Sequence, residues 1–321
     1  MERVPITNEV AQSEPAADAC WNALRLLRAR IRVVPAGFRQ CVLRIGADPL
    51  VAFDARLEPA PGAHDVVIAF EPGASARRHE TLIVIEDLID VDVVQRGSIP
   101  DAALALLQTY LPYCLAPIEA QRQRRAITVS HFAQTLDGRI ATDCGDSRWI
   151  GCQENLVHAH RMRALCDAVL IGSGTLRRDR PRLTVRHVSG SDPIRVVVGS
   201  GPHDLSCLTE SSDAPVITVG RDQTIDLAAG NGHIHGRAIL ESLFTRGIHS
   251  VLVEGGAATT SSLLADGVID ILQVHIEPLV LGPGLSPFAR PAAARIGDAI
   301  TFRSQSFTRV GSGVMFVGRP A

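Results

Sequence analysis

Residues 127–186 read ITVSHFAQTLDGRIATDCGDSRWIGCQENLVHAHRMRALCDAVLIGSGTLRRDRPRLTVR, and the fold is decided here. The stretch opens on an apolar run, ITVSHFA at 127–133, and carries a second, DAVLIG at 167–172, each followed by a turn containing glycine. Between them, residues 153–165 have helical spacing. A strand, a helix and a strand in that order announce a βαβ unit of a mainly parallel sheet. Ligands of such sheets sit outside the carboxyl ends of the strands, so the turns after the strands are where chemistry is sought.

The same alternation continues toward the carboxyl end. Apolar runs at 194–200, 215–220, 250–256 and 270–282 are expected as strands, and 237–246 and 257–265 as helices. The tail, ITFRSQSFTRVGSGVMFVG at 300–318, reads as a closing hairpin that adds an antiparallel edge. Working the other way, residues 1–15 are polar, and Asp18 is expected to cap a helix that buries Trp21, Leu24, Leu27 and Ile31. Short strands follow at 41–45, 50–53, 65–70 and 81–88. A helix then opens near Pro100 and Asp101 on a stripe of Leu104, Leu107 and Leu111, with Pro112 and Pro117 interrupting it. Residues 1–120 are therefore expected as a small α+β module of structural or dimerising role. The acidic run Glu86, Asp87, Asp90 and Asp92 is taken as a solvated strand edge, and the basic segment EAQRQRRA at 119–126 as a linker or helix end before a second domain at 127–321.

Composition agrees with this division. A chain of 321 residues exceeds the usual size of one domain, and 46% hydrophobic with only 4% aromatic residues describes an aliphatic α/β protein. A formal charge of −2 gives no general attraction to nucleic acid or an anionic membrane, so small molecules or further subunits are the expected partners. The seven cysteines form no CxxC pair and no even framework, which argues against a zinc or disulfide scaffold and for reduced thiols in a cytoplasmic protein. No apolar run reaches the length of a membrane span, and the start lacks a signal-peptide core.

Three turns then stand out. Leu136-Asp137-Gly138-Arg139 follows the first strand, Gly172-Ser173-Gly174-Thr175 the second, and Gly255-Gly256 leads from 250–254 into a helix. Backbone amides exposed by glycines at a helix start favour an anion, because the donors lack partners and the helix dipole is positive there. A dinucleotide suits such a set.

The run LDGRIAT, the S-x-W-I of residues 147–150, HRMRA, DAVLIGSGT, D-x-P-R-L-T-V-R and LVEGG resemble, in order and spacing, the reductase domain of bacterial riboflavin biosynthesis, a fold similar to dihydrofolate reductase. The resemblance covers residues 127 to the end. It implies a mixed, mainly parallel sheet flanked by helices, and NADPH-dependent reduction of a phosphoribosylaminopyrimidine that opens its ribose to a ribityl chain. It places NADPH against Ala133, Trp149, Thr175, Asp179, Ser200 and the turn from Gly256 to Ala257, to which the glycine turns add Gly172, Gly174 and Gly255 as cofactor-binding candidates. It places substrate against Ser147, Arg163, Leu183, Arg186 and Glu254. It also suggests a homodimer.

These residue types suit those roles. Arg163 and Arg186 are guanidinium forks able to grip a phosphate, and Glu254 closes an apolar strand, where an unpartnered carboxylate would be costly. Glu254, His131 and Asp137 are the candidate catalytic groups, with a protonated group assisting hydride transfer. Two departures stand against direct transfer. The zinc-ligand pattern of the family's usual amino-terminal deaminase is absent before residue 120, and His131 stands where a lysine is common, either doing the lysine's work as a cation or marking another substrate. A dihydropterin reductase and a nucleotide-binding module without catalysis remain as alternatives.

Overall fold

The computed structural model describes residues 15–32, 38–55, 57–58, 60–70, 74–87, 90–147, 150–227, 233–289 and 293–321. The chain divides into two compact units, Met1–Leu115 and Ala116–Ala321.

The first unit contains α1 (Pro15–Ile31), β1 (Gln40–Ile45), β2 (Leu50–Phe53), β3 (His64–Ala69), β4 (Thr81–Asp87), β5 (Asp90–Gln95) and α2 (Asp101–Cys114). Its sheet runs β2-β1-β3-β4-β5, with only β3 and β4 parallel. Trp21 meets Tyr110 edge-on at 5.8 Å, which joins α1 to α2 over a core of Leu24, Leu27, Leu107 and Leu111. Two details differ from expectation, at Asp18 and Pro112, while the acidic run falls on β4 and the edge strand β5. Asp18 lies inside the first turn of α1, where a carboxylate still faces the positive end of the dipole. Pro112 sits within α2 near its end, since a proline in the last turn removes one bond without ending the helix before it.

The second unit runs α3 (Ala116–Gln123), β6 (Ile127–Thr135), β7 (Ala141–Thr142), α4 (Gln153–Leu165), β8 (Ala168–Gly172), α5 (Ser173–Asp179), β9 (Ile194–Val198), α6 (Ser206–Thr209), β10 (Val216–Gly220) and β11 (Ile225–Asp226). It continues with α7 (Gly236–Phe244), β12 (Ser250–Val253), α8 (Ala257–Ala265), β13 (Ile271–Glu277), β14 (Gly284–Leu285), a 3-10 turn (Ile296–Asp298), β15 (Phe302–Val310) and β16 (Gly313–Pro320). Nine strands form one sheet in the order β11-β10-β9-β8-β12-β6-β13-β16-β15. Every pairing from β11 to β13 is parallel, and β16 and β15 add the antiparallel edge the tail predicts. The mixed, mainly parallel sheet flanked by helices is therefore present. The apolar runs make its central strands: β8 and β12 are buried along nearly their whole length, as strands covered on both faces must be.

The segment expected as a linker or helix end closes α3 and leads into β6. Arg125 is buried and grips Asp270 through two bonds of 2.8 and 2.7 Å, while Asp270 also accepts the Thr128 amide at 2.8 Å. Glycine-rich punctuation after β8 also folds into a helix, α5, which sequence spacing left as a turn.

Candidate active site

The first two strands of the nine-stranded sheet in chain order, β6 and β8, are not neighbours; β12 lies between them and pairs parallel with both. The carboxyl ends of all three therefore open on one edge of the sheet, at the position where strand order reverses. Beyond Val253 the chain passes through Glu254, Gly255 and Gly256 into α8. A Cβ on Gly255 would lie 2.6 Å from Thr259 Cβ, and one on Gly172 would lie 2.4 Å from Thr259 Oγ1, so the first turn of α8 rests against both strand ends only because both are glycine. The Gly256 amide donates to Thr175 Oγ1 at 3.1 Å, which ties the loop after β12 to α5.

These loops surround a cleft of about 410 Å³ lined by Ala133, Ser147, Thr175, Asp179, Glu254, Gly255 and Gly256 among the residues singled out from sequence. Asn155, Cys152 and Arg178 also line it, as do Ala141 of β7 and Leu285 of β14. A second cavity of about 300 Å³ is lined by Ser200, Gly199 and His233 together with Ala258 and Thr259 of α8. The start of α8 thus contributes to both hollows, and no side chain caps its first turn. Ala257 is the first helical residue there. Burial raises the Asp179 carboxyl above its usual range, against the lowering effect of Arg178.

Arg163 corrects the phosphate-clamp expectation in part. Its guanidinium is engaged with Glu254 through two bonds of 2.7 and 2.6 Å, and it donates a third to the Thr184 carbonyl at 3.1 Å. Three of its five donors are thereby used within the chain, and one on each terminal nitrogen remains. Arg186 is different: it is exposed, its guanidinium donates to the Thr184 hydroxyl, and its amide donates to His160 Nδ1 at 2.9 Å. Burial first, then Arg163 and Arg182, lower the Arg186 pKa, against the raising effect of Asp192 and Glu254. Leu183 is buried with φ of 56°, a left-handed backbone that a branched side chain rarely adopts and that concentrates at ligand sites.

Other sequence candidates stand elsewhere. Asp137 does not line the cleft. It accepts Thr135 Oγ1 at 2.6 Å and the amides of Leu281 and Gly282 at 3.2 and 2.7 Å, and these bonds hold its pKa down to about 2. It pins the loop that leads to β14, whose Leu285 carbonyl accepts the Ile140 amide at 2.9 Å and walls the cleft. His131 is buried, with its ring 5.2 Å from that of His158. Burial first, then the neighbouring His158, His275 and Arg163, push its pKa well below the ordinary value, which favours the neutral imidazole over the cationic role considered for it. Gly174 has open space where a Cβ would stand. Trp149 lies outside the described residues.

Helix α4 buries polar side chains that no hydrophobic pattern could reveal. His158 Nε2 meets Gln273 Oε1 of β13 at 3.0 Å, and Cys152 at the start of α4 meets His275 of the same strand. The alternation H-x-E at 275–277, which places both side chains on one face of a strand, is the signal that could have found this group. Among the described residues, no helix is long and apolar enough to cross a membrane.

Comparison with known proteins gives a consistent family. The model of the RibD C-terminal domain matches residues 126–316. The riboflavin biosynthesis protein RibD of Corynebacterium ammoniagenes is 33% identical over 239 residues, which cover 72% of this chain and 63% of that protein. The 2,5-diamino-6-ribosylamino-4(3H)-pyrimidinone 5′-phosphate reductase of Methanothermobacter thermautotrophicus is 33% identical over 174 residues, which cover 49% of this chain and 80% of that protein. The match thus spans under two thirds of the Corynebacterium relative. Among solved structures, Acinetobacter baumannii RibD shares the fold with a TM-score of 0.62 at 18% identity, over 96% of this chain and 100% of that one. With its match from residue 126 to residue 316, this chain belongs to the RibD C-terminal domain family.

Proposed function

We propose that the second unit is a pyridine-nucleotide-dependent reductase, with NADPH as hydride donor and a ribosylaminopyrimidine 5′-phosphate as substrate. The observation that carries this reading is the start of α8, uncapped and shared between two cavities at the ends of parallel strands. A dinucleotide fits that arrangement: its diphosphate on the amides of the first turn, its two nucleosides in the two hollows. Gly172 and Gly255 support the fit, since a Cβ on either would force Thr259 and the helix start away. Ala133, Thr175, Asp179 and Gly256 would hold the reactive end and Ser200 the other. Bound there, the nicotinamide supplies a hydride to the sugar carbon.

The chain's own groups orient the substrate. Arg163 fixes Glu254 at the cleft, and each carboxylate oxygen, having accepted one guanidinium bond, keeps a second acceptor site for a sugar hydroxyl. Ser147 offers a hydroxyl at the cleft. Arg186, exposed and held by Thr184, has donors left for a phosphate, and the Arg163–Glu254 pair neutralises the charge beside it. Neutral, buried His131 leaves proton delivery to other groups, of which Asp179 is favoured because it lines the cleft with a raised pKa. The open edge strand β15, with Phe307 at 67% exposure, supports pairing of two copies, and the first unit has a structural or assembling role in this reading.

The test is steady-state oxidation of NADPH against a panel of phosphorylated ribosylaminopyrimidines and dihydropterins, with Arg186→Ala beside the unaltered chain. Turnover of the pyrimidine is expected, with kcat/KM lowered roughly 30-fold in the variant, for an anion contact worth about 2 kcal/mol. Turnover of dihydropterins alone would overturn the substrate, and binding of NADPH without oxidation would overturn the reductase.

A further inference from the structure

Three side chains from distant parts of the chain converge behind Cys152, which lines the cleft, while His275 and Glu277 are buried. Cys152 stands at the start of α4, and His275 and Glu277 are two apart on β13 and share a face. Cys152 Sγ lies 3.6 Å from His275 Nε2, and Nε2 lies 2.9 Å from Glu277 Oε1. The three atoms all lie within 4.8 Å of one another. We propose that Cys152, His275 and Glu277 form a binding site for one divalent cation of the zinc class.

One edge of the group has the spacing of two ligands on a metal, and another that of a hydrogen bond. A tetrahedral Zn²⁺ with ordinary bond lengths sets its sulfur and nitrogen ligands roughly 3.6 Å apart and its nitrogen and oxygen ligands roughly 3.4 Å apart. The first edge is already met. The second is shorter by about half an ångström because a proton now joins His275 to Glu277, and a cation taking that proton's place would spread the pair to ordinary ligand spacing. The donor set selects the metal: one thiol, one imidazole and one carboxylate suit Zn²⁺ or Co²⁺ and are too few and too soft for Ca²⁺ or Mg²⁺. Three protein ligands leave the fourth position to water, the arrangement of open zinc sites.

The surroundings hold the ligands in place. Ser312 Oγ donates to Glu277 Oε2 at 2.8 Å and the Cys152 amide donates to Oε1 at 2.8 Å, so the carboxylate is oriented from both sides. The turn between β15 and β16 passes directly over the group. A Cβ on Gly311 would lie 2.6 Å from Cys152 Sγ and one on Gly313 would lie 3.0 Å from His275 Nε2, so this turn admits only glycine at both positions. His275 and Glu277 are buried, whereas Cys152 is partly exposed and lines the cleft, which gives a cation a route in. The site is a separate feature of the same unit and does not depend on the reductase reading.

The experiment is titration of the metal-free full chain with Co²⁺, followed by absorbance and by equilibrium dialysis, with Cys152→Ser and Glu277→Gln in parallel. The expected result is one Co²⁺ per chain with a thiolate-to-cobalt charge-transfer band, the band lost in Cys152→Ser and the affinity weakened roughly tenfold or more in Glu277→Gln. Absence of stoichiometric binding, or a band that survives Cys152→Ser, overturns the site. Should a variant fail to fold, alkylation of the unaltered chain decides by mass spectrometry. Protection of Cys152 by Zn²⁺, reversed by a chelator, supports the site, and equal labelling with and without the metal refutes it.

Discussion

Glu254→Gln tests the pair on which the cleft is built. The carboxylate receives two bonds from Arg163, at 2.7 and 2.6 Å, with the two side chains only 12% and 15% exposed. The amide keeps one acceptor but turns an NH₂ toward a guanidinium that can only donate, so one bond is lost and a partly buried cation loses its counter-charge. Removing one partner of a buried pair costs about 3–5 kcal/mol, and the residual access of water argues for the lower end, about 3 kcal/mol. For a unit of this size each kcal/mol lowers the melting temperature by about 2–4 °C, so a fall of roughly 6–12 °C is expected. Thermal melts of Glu254→Gln, Arg163→Met and the double variant form a cycle, in which the two single losses should exceed the double loss by at least about 1.5 kcal/mol. A Glu254→Gln protein that melts within about 1 °C of the unaltered chain would refute the reasoning, because the bonds would then carry no net stabilisation.

Other outcomes follow from separate observations. Asp270→Asn leaves Arg125 without its counter-charge at a site 9% and 5% exposed, and urea unfolding should show a loss of about 3–5 kcal/mol. His158 is held to about 4 by burial, so the unfolded chain takes up a proton below about 6.5 that the folded chain refuses. Stability should be full above pH 6.5, fall as pH drops toward 4, and fall less steeply in His158→Gln, where His131 and His160 still refuse their protons, when melts are recorded across that range. Gly255→Ala puts a methyl 2.6 Å from Thr259 Cβ and should weaken NADPH binding by about 1–3 kcal/mol, roughly five- to 150-fold, in a fluorescence titration. Gly256→Ala, whose methyl meets only Thr175 Oγ1 at 3.2 Å, should lose less.

Much of the second unit was legible because its signals are local. The bounds of α4 and α8 match the helical spacing read from residues 153–165 and 257–265, and β8, β9, β10 and β12 fall on aliphatic runs punctuated by glycine. The run from 270 to 282 was overread, since β13 ends at Glu277 and the rest turns away to follow Asp137. Residues 119–126, read as a linker or helix end, close α3, but their burial was not legible. EAQRQRRA has the composition of a solvated linker, and nothing local shows that Arg125 is neutralised by Asp270, 145 positions away.

The amino-acid sequence by itself determined the sheet's strands, its antiparallel closing hairpin and the glycines against which the start of α8 must rest, because periodicity and the absence of a side chain act within a few residues of where they are written. Only the tertiary structure decided which charges were spent. Arg163 and Arg186 are the same residue type in the sequence, yet one is locked to Glu254 and the other lies exposed. Asp137 serves a turn, His131 is neutral, and Cys152 meets a strand more than a hundred positions later. The physical reason is that a side chain's charge and reach depend on burial and on partners brought from elsewhere in the chain, and those are set by the packing of the sheet rather than by any neighbour in sequence.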